Sequence, residues 1–200
     1  DPNKMQDFSV FGFIAGFTGA RLLYVLIDLR AYIENPRELF SGSGFVWYGG
    51  ILTATPVAYW LAKRSKISGL RALDCLAPGT MLGLAIGRVG CLMAGCDHGR
   101  VVASGAHWWT LTFTDARSLV DPALLGLPLY PTQPLMSLKS FTVFVVLMLL
   151  RERLARWPGA LALLMFICYA PLRFAIEFIR GDVERGFLIP GVLSTSQTVS

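Results

Sequence analysis

Three arginines, Arg21, Arg88 and Arg173, sit inside stretches of sequence that are otherwise almost wholly apolar. Arginine presents a planar fork of donors that matches the oxygens of a phosphate or a carboxylate, and it stays charged at physiological pH. A fixed charge among apolar residues therefore needs a counter-charge or a task. Arg173 has a candidate counter-charge in Glu177, four residues on, and Tyr169 lies one turn before it on the same helical stripe. Arg21 and Tyr24 are three apart and share a helical face. Arg88 stands in Gly87-Arg88-Val89-Gly90-Cys91 with no acid within a helical turn. If the three guanidiniums meet at one depth, they form a grip for an anionic phospholipid head group. The plainer alternatives are separate local partners, Arg173 with Glu177 and Arg88 with a backbone carbonyl, or snorkelling to a membrane surface.

The elements that must hold these residues are membrane helices. Of the 200 residues, 54% are hydrophobic and 16% charged, against about 25% charged in soluble domains. Five apolar runs, at about 8–29, 45–62, 73–95, 135–150 and 158–179, approach the roughly 20 residues that cross a bilayer core. They predict an all-α polytopic transmembrane bundle in a single domain covering 1–200. An ionisable group inside such a span costs at least about 2.5–3.5 kcal/mol, so the buried arginines must be satisfied or functional. Gly12, Gly16, Gly19, Gly79, Gly83, Gly87 and Gly90 lie inside these runs and read as faces on which helix backbones approach closely.

Loop charges set the orientation. Lys63, Arg64, Lys66 and Arg71 follow the second run without an acid among them, and Arg151, Arg153 and Arg156 follow the fourth. The loops after the first, third and fifth runs mix signs: Arg30, Glu34, Arg37 and Glu38; Asp97, Arg100, Asp115, Arg117 and Asp121; Arg180, Asp182, Glu184 and Arg185. The alternation puts 63–72 and 151–157 in the cytoplasm and the ends bearing Arg21, Arg88 and Arg173 outside. Residues 97–131, with His107, Trp108 and Trp109, read as a small extracytoplasmic cap at the interface, where tryptophan is favoured. The basic clusters are short and flank apolar runs, which excludes nucleic acid as a partner. No broken-helix pair or inverted repeat points to transport.

Four cysteines remain, Cys75, Cys91, Cys96 and Cys168. On a regular helix, residues five apart point about 140° from one another, so Cys91 and Cys96 can pair only if Gly95 breaks the helix. Three readings stay open for them: a disulfide or reactive thiol pair, two small buried apolar residues, and a metal site. The irregular spacing through Asp97 and His98 supplies no clear fourth ligand, so no metal is expected. Cys75 and Cys168 read as core. His98, two residues past Cys96, is a candidate base.

Taken in order, the motifs resemble the bacterial prolipoprotein diacylglyceryl transferase family over most of the chain. Gly19-Ala20-Arg21-Leu22-Leu23-Tyr24 resembles an early arginine–tyrosine helix, and Tyr48-Gly49-Gly50 falls where the family has His-Gly-Gly. Gly87-Arg88-Val89-Gly90-Cys91-Leu92-Met93-Ala94-Gly95-Cys96 resembles Gly-Arg-x-Gly-Asn-Phe-x-Asn-Gly-Glu. Tyr130-Pro131-Thr132-Gln133 resembles His-Pro-Thr/Ser-Gln, and Tyr169 to Arg180 matches the last signature. Leu193 to Gln197 resembles the lead-in to a final helix. Tyr48 and Tyr130 replace histidines, Cys91 and Cys96 replace asparagine and glutamate, and Pro134-Leu135-Met136 replaces Leu-Tyr-Glu, so a general base is missing where the family pattern has one. The family has one helix before the first run and one after the last, so the chain resembles its middle.

The resemblance implies a bacterial inner-membrane enzyme working on the periplasmic face. It moves the diacylglyceryl group of phosphatidylglycerol, or another anionic phospholipid, to the lipobox cysteine of a prolipoprotein, forming a thioether as glycerol phosphate leaves. No metal or organic cofactor is implied. Arg88 and Arg173 would neutralise the phosphate, Glu177 would orient Arg173, and Tyr24 would assist; Arg21, Tyr48, Gly49, Gly50, Tyr169, Gln133 and His98 would bind substrate. The alternatives are an inactive or repurposed member acting as a subunit of a larger membrane complex or a lipid-binding scaffold, and a thiol-redox protein using Cys91 and Cys96.

Overall fold

The computed structural model describes residues 2–27, 29–34, 46–181, 187–189 and 193–194. The side chains of Asp28, Arg30, Glu34, Arg37, Glu38, Asp182, Glu184 and Arg185 lie outside the described residues, as does most of the Leu193–Gln197 motif. The chain forms α1 (Pro2–Ile27), a short α2 (Leu29–Glu34), α3 (Trp47–Ser65), α4 (Gly69–Ala94), α5 (Thr132–Leu154) and α6 (Ala160–Glu177). A small antiparallel pair, β1 (Phe187–Ile189) and β2 (Leu193–Ser194), follows.

Four stretches, Gln6–Ile27, Gly69–Ala94, Thr132–Leu154 and Ala160–Glu177, are long and apolar enough to cross a membrane. Helices satisfy their own backbone polar groups, which is the condition for crossing hydrocarbon. The second run folds as the 19-residue α3 but is not among these four, because its last turn carries Lys63 and Arg64. The chain is a multi-pass helical membrane protein.

The contacts divide into two compact units, Asp1–Cys75 and Leu76–Ser200. In the first, α1 and α3 approach backbone to backbone. A Cβ on Gly49 would run into the Gly19 carbonyl and lie 2.6 Å from the Leu23 Cβ, and one on Gly19 would overlap Thr53. Thr53 Oγ1 uses that closeness to donate to the Ala15 carbonyl at 2.6 Å, a hydrogen bond between helices. Farther along, Phe8, Leu61, Ala62 and Ala72 form a small core. The packing role expected of the glycines thus holds for Gly16 and Gly19. At Gly12, Gly79, Gly83, Gly87 and Gly90 an added Cβ meets nothing within 4 Å. In α4 the inward face is made instead by Ala77, Met81 and Ala85, four apart and buried.

In the second unit, Ala77 and Met81 of α4 pack with Val143 and Leu147 of α5 and Leu161 of α6. The buried stripe of α5 runs Thr132, Gln133, Met136, Lys139, Ser140, Val143, Leu147, the three-and-four spacing of a helix with one face inward. Beyond α4, Gly95 (φ +84°) and Asp97 (φ +56°) reverse the chain into the cap. The cap is irregular: bridges join Val101 and Leu111 to the fully buried Leu129, and a 3-10 turn at Pro122–Leu124 is capped by Asp121. Trp108 is 96% exposed on it, and Trp109 lies between His107 and Tyr130 with ring centroids 5.3 and 5.7 Å away.

Candidate active site

The site assembles where α4 ends, α5 begins and α6 ends. Because α4 stops at Ala94 and the next residues turn back, the Asp97 carboxylate comes to rest beside the helix it has just left. Its two oxygens divide their work: Oδ2 accepts from Arg88 and Oδ1 accepts from Arg180. Arg180 is drawn in by backbone pairing between the cap entry and the end of α6. Arg100 N donates to the Ile179 carbonyl at 3.0 Å and Gly181 N donates to the His98 carbonyl at 3.1 Å. That pairing needs Gly181, since a Cβ there would lie 2.6 Å from the Arg100 backbone.

The loop is also gripped from α5. Thr132 Oγ1 donates to the Asp97 carbonyl at 2.8 Å, and Gln133 Nε2 donates to the Cys96 carbonyl at 2.9 Å. Both side chains are fully buried. The Tyr130-Pro131-Thr132-Gln133 motif thereby holds the backbone that presents Asp97. Burial pushes the Asp97 carboxyl up, but the charges of Arg180 and Arg88, together with hydrogen bonds from Cys91 and Arg88, outweigh it and hold the pKa below its ordinary 3.8.

On α6, Arg173 pairs with Glu177 one turn on, and both are deeply buried, with side-chain exposures of 12% and 3%. Between this pair and Arg88 lies a residue the sequence reading passed over. Lys139 of α5 is 7% exposed, its ammonium rests 3.7 Å from the centroid of the Tyr169 ring, and it feels the charges of Arg173 and Arg88. Four cations and two carboxylates thus form one connected cluster among the described residues. Arg88 also faces a cavity of about 340 Å³ between α4 and α5, shared with Gln133, Ser137, Leu92, Leu138 and Phe141. Polar groups stand at its Arg88 end, and the remaining wall is apolar.

Of the residues expected to act, Arg88, Arg173, Glu177, Tyr169 and Gln133 fall in this cluster or its immediate support. Arg88 pairs with Asp97 rather than with a carbonyl. His98 is buried beside it, and its Nδ1 lies 3.1 Å from the Gly99 carbonyl; a carbonyl only accepts, so Nδ1 is the nitrogen that donates there. Arg21, Tyr24, Tyr48, Gly49 and Gly50 belong to the first unit. There the Arg21 guanidinium lies over the rings of Tyr24 and Tyr32, at 5.9 and 5.6 Å from their centroids. Tyr48 is exposed, and Gly49 and Gly50 are at the α1–α3 contact.

Cys91 and Cys96 are both free thiols. The turn at Gly95 brings Cys96 back so that its Sγ lies 3.8 Å from the Cys91 carbonyl, and Cys91 Sγ lies 3.3 Å from Asp97 Oδ2. The two thiols and the carboxylate lie within 4.8 Å of one another, a spacing a cation could use, yet both carboxylate oxygens already accept from guanidiniums.

Asp97, Lys139 and Arg180 were missed as site residues. Lys139 carried a signal: it is the one ionisable residue inside the run 135–150, where any charge is a functional candidate. Arg180 was visible only as the end of a motif and as a loop charge. Asp97 was weighed only as a loop charge and, beside Cys91 and Cys96, as a ligand, because its role as partner of Arg88 and Arg180 depends on the chain reversal.

Apolar spanning helices and a cluster of guanidiniums, an ammonium and carboxylates where α4 and α6 end define a multi-pass membrane protein with a cationic site. The model of one family, described as prolipoprotein diacylglyceryl transferase, matches residues 1–200, and the chain belongs to that family. It is similar to the phosphatidylglycerol–prolipoprotein diacylglyceryl transferase of Clostridium tetani, with 33% identity over 195 residues, 97% of this chain and 74% of the relative. A second enzyme of that name, from Clostridium perfringens, is 32% identical over 200 residues, 99% of this chain and 74% of the relative. The Serratia proteamaculans enzyme is 31% identical over 215 aligned positions, 99% of this chain and 73% of the relative.

Proposed function

We propose that this protein transfers the diacylglyceryl group of phosphatidylglycerol to the thiol of a prolipoprotein cysteine. The observation that carries the reading is the cationic cluster of Arg88, Lys139, Arg173 and Arg180 around two carboxylates, beside a cavity with apolar walls, in a chain of this family. The reaction forms a sulfur–carbon bond at the glyceryl carbon that carries the phosphate and breaks that carbon's bond to oxygen. Glycerol phosphate leaves, and the thiol proton passes to solvent or a base. One negative charge on the diester and one on the thiolate become two on the leaving phosphate, so positive charge fixed in advance is what lowers the barrier.

Arg88 and Arg173 bind the phosphate oxygens in this scheme. Asp97 and Glu177 hold the two guanidiniums in place and share their charge. The leading candidate to take the proton is His98, through Nε2, the ring nitrogen that does not face the Gly99 carbonyl. The apolar wall formed by Leu92, Leu138 and Phe141 suits the glyceryl backbone and the start of an acyl chain. Orientation follows from Lys63, Arg64 and Lys66 and from Arg151, Arg153 and Arg156, which hold those loops in the cytoplasm. The site then opens on the periplasmic side of a bacterial inner membrane, where prolipoproteins emerge.

The test replaces Arg88 or Arg173 with alanine and follows transfer from phosphatidylglycerol to a lipobox peptide in detergent or liposomes. Losing a donor to the developing charge lowers kcat by about 100- to 1,000-fold. Full activity in both variants would remove the reading.

A further inference from the structure

Lys139 is the member of the cluster whose charge is not accounted for. Asp97 serves Arg88 and Arg180, and Glu177 serves Arg173. Lys139 lies on the buried stripe of α5 with 7% of its surface exposed. Among the described residues no carboxylate, carbonyl or hydroxyl accepts from its ammonium. Its close neighbour is the face of the Tyr169 ring, 3.7 Å from Nζ, and the charges that reach it from Arg173 and Arg88 repel it.

An ammonium that keeps only slight contact with solvent, with three donors and no acceptor among the described residues, is still a costly arrangement. A ring face returns about 2 kcal/mol of that when desolvated, which leaves most of the cost standing. Lysine at a site chosen only for packing is readily replaced by methionine or leucine, which fit the same stripe without charge. The geometry also has a direction. Tyr169 confines the ammonium from one side, and the two guanidiniums that repel it are the ones assigned above to the substrate phosphate.

Resting on the transferase reading, we infer that Lys139 is a further substrate-binding residue, the third cation with Arg88 and Arg173 to grip the lipid phosphate. Tyr169 acts as the rest that positions its ammonium. With Lys139 included, four cations and two carboxylates stand in the cluster among the described residues. The reacting pair, phosphodiester and thiolate, carries two negative charges, and so does the leaving glycerol phosphate. Added positive charge at the cluster therefore favours the reaction throughout its course.

The experiment uses the full-length protein in detergent micelles, with Lys139→Met as the neutral variant of like volume and Lys139→Arg as the charge-keeping one. Two measurements are made on each: the shift in unfolding temperature on adding phosphatidylglycerol, referred to neutral diacylglycerol, and KM and kcat for transfer to a lipobox peptide. Lys139→Met is expected to lose most of the phosphatidylglycerol-specific shift and to raise KM for the lipid by roughly 10- to 100-fold, the worth of one charge-assisted hydrogen bond. Its ligand-free unfolding temperature stays level or rises, because an unpaired charge has gone. Lys139→Arg keeps most of the shift.

A Lys139→Met protein with an unchanged shift and KM within twofold of the parent overturns the inference while leaving the transferase reading intact. A fall in its ligand-free unfolding temperature, repeated in Lys139→Gln, also overturns it, since the ammonium would then be holding the fold. If the parent is stabilised by phosphatidylglycerol through Lys139 but transfers nothing, the lysine assignment stands and the transferase reading goes.

Discussion

At the residue scale, Asp97 is the position on which most depends, because one carboxylate satisfies guanidiniums from two helix ends. Asp97→Asn removes the charge and keeps the shape, leaving Arg88 and Arg180 to repel one another. Breaking a buried pair from one side costs about 3–5 kcal/mol; at a quarter exposed the cost should be nearer 1–3 kcal/mol, seen as a fall of several degrees in unfolding temperature. The same residue sets a pH dependence. Its folded pKa lies below the ordinary 3.8, so its contribution is fully present above about pH 4 and is lost as pH falls through the depressed folded value. The unfolding temperature should drop below pH 4 in the parent, and that part of the drop should vanish in Asp97→Asn. A like slope in both proteins would show that Asp97 is not the group responsible. The thiols give a separate check. All four cysteines are free, so denaturation and alkylation without a reductant should label each of them, as mass spectrometry reads directly.

At the element scale, two contacts made by glycine carry different predictions. Gly49 lets α3 close on α1 until Thr53 reaches the Ala15 carbonyl. Gly49→Val forces that interface apart and should destabilise by about 1–3 kcal/mol, as other overpacked interfaces do, whereas Gly83→Ala, where an added Cβ meets nothing within 4 Å, should leave unfolding unchanged. Equal effects would mean that α1 and α3 do not pack through Gly49. Gly181 joins the end of α6 to the cap entry, against the Arg100 backbone. Gly181→Val should cut transfer at least 10-fold by displacing Arg180 from Asp97, and should lower stability by about 1–3 kcal/mol, since the added Cβ meets the Arg100 backbone and the pair is lost.

At the scale of the whole molecule, the chain behaves as a cationic cluster held among apolar helices, so activity should follow the charge of the lipid. Liposomes of neutral phosphatidylcholine should support no transfer, and activity should rise with the fraction of phosphatidylglycerol. Rising salt should weaken the effect only modestly, since buried charges are poorly screened. A rate indifferent to phosphatidylglycerol content would contradict the assigned donor.

The sequence by itself settled what period and composition can settle. Apolar length marked the helices, and each of the five runs folds as one. The four-residue spacing of Arg173 and Glu177 was enough to place that pair, because one helical turn fixes their distance whatever else surrounds them. The order of short motifs was enough to indicate the family. The limits of this reading are physical too. Gly79, Gly83, Gly87 and Gly90 look like a packing stripe in one dimension, but only the neighbouring helices decide which face turns inward, and it is the face of Ala77, Met81 and Ala85 that does. Asp97 and Arg180 stand 83 positions apart, and nothing local joins them. Their meeting depends on left-handed turns at Gly95 and Asp97 and on backbone pairing between the cap and α6. Lys139 was visible as a lone charge in an apolar run, yet its surroundings of cations and a ring, with no acid among the described residues, exist only once three helices are packed. Local spacing fixes pairs within one helix; the charge balance of a site drawn from several elements is a property of the tertiary fold.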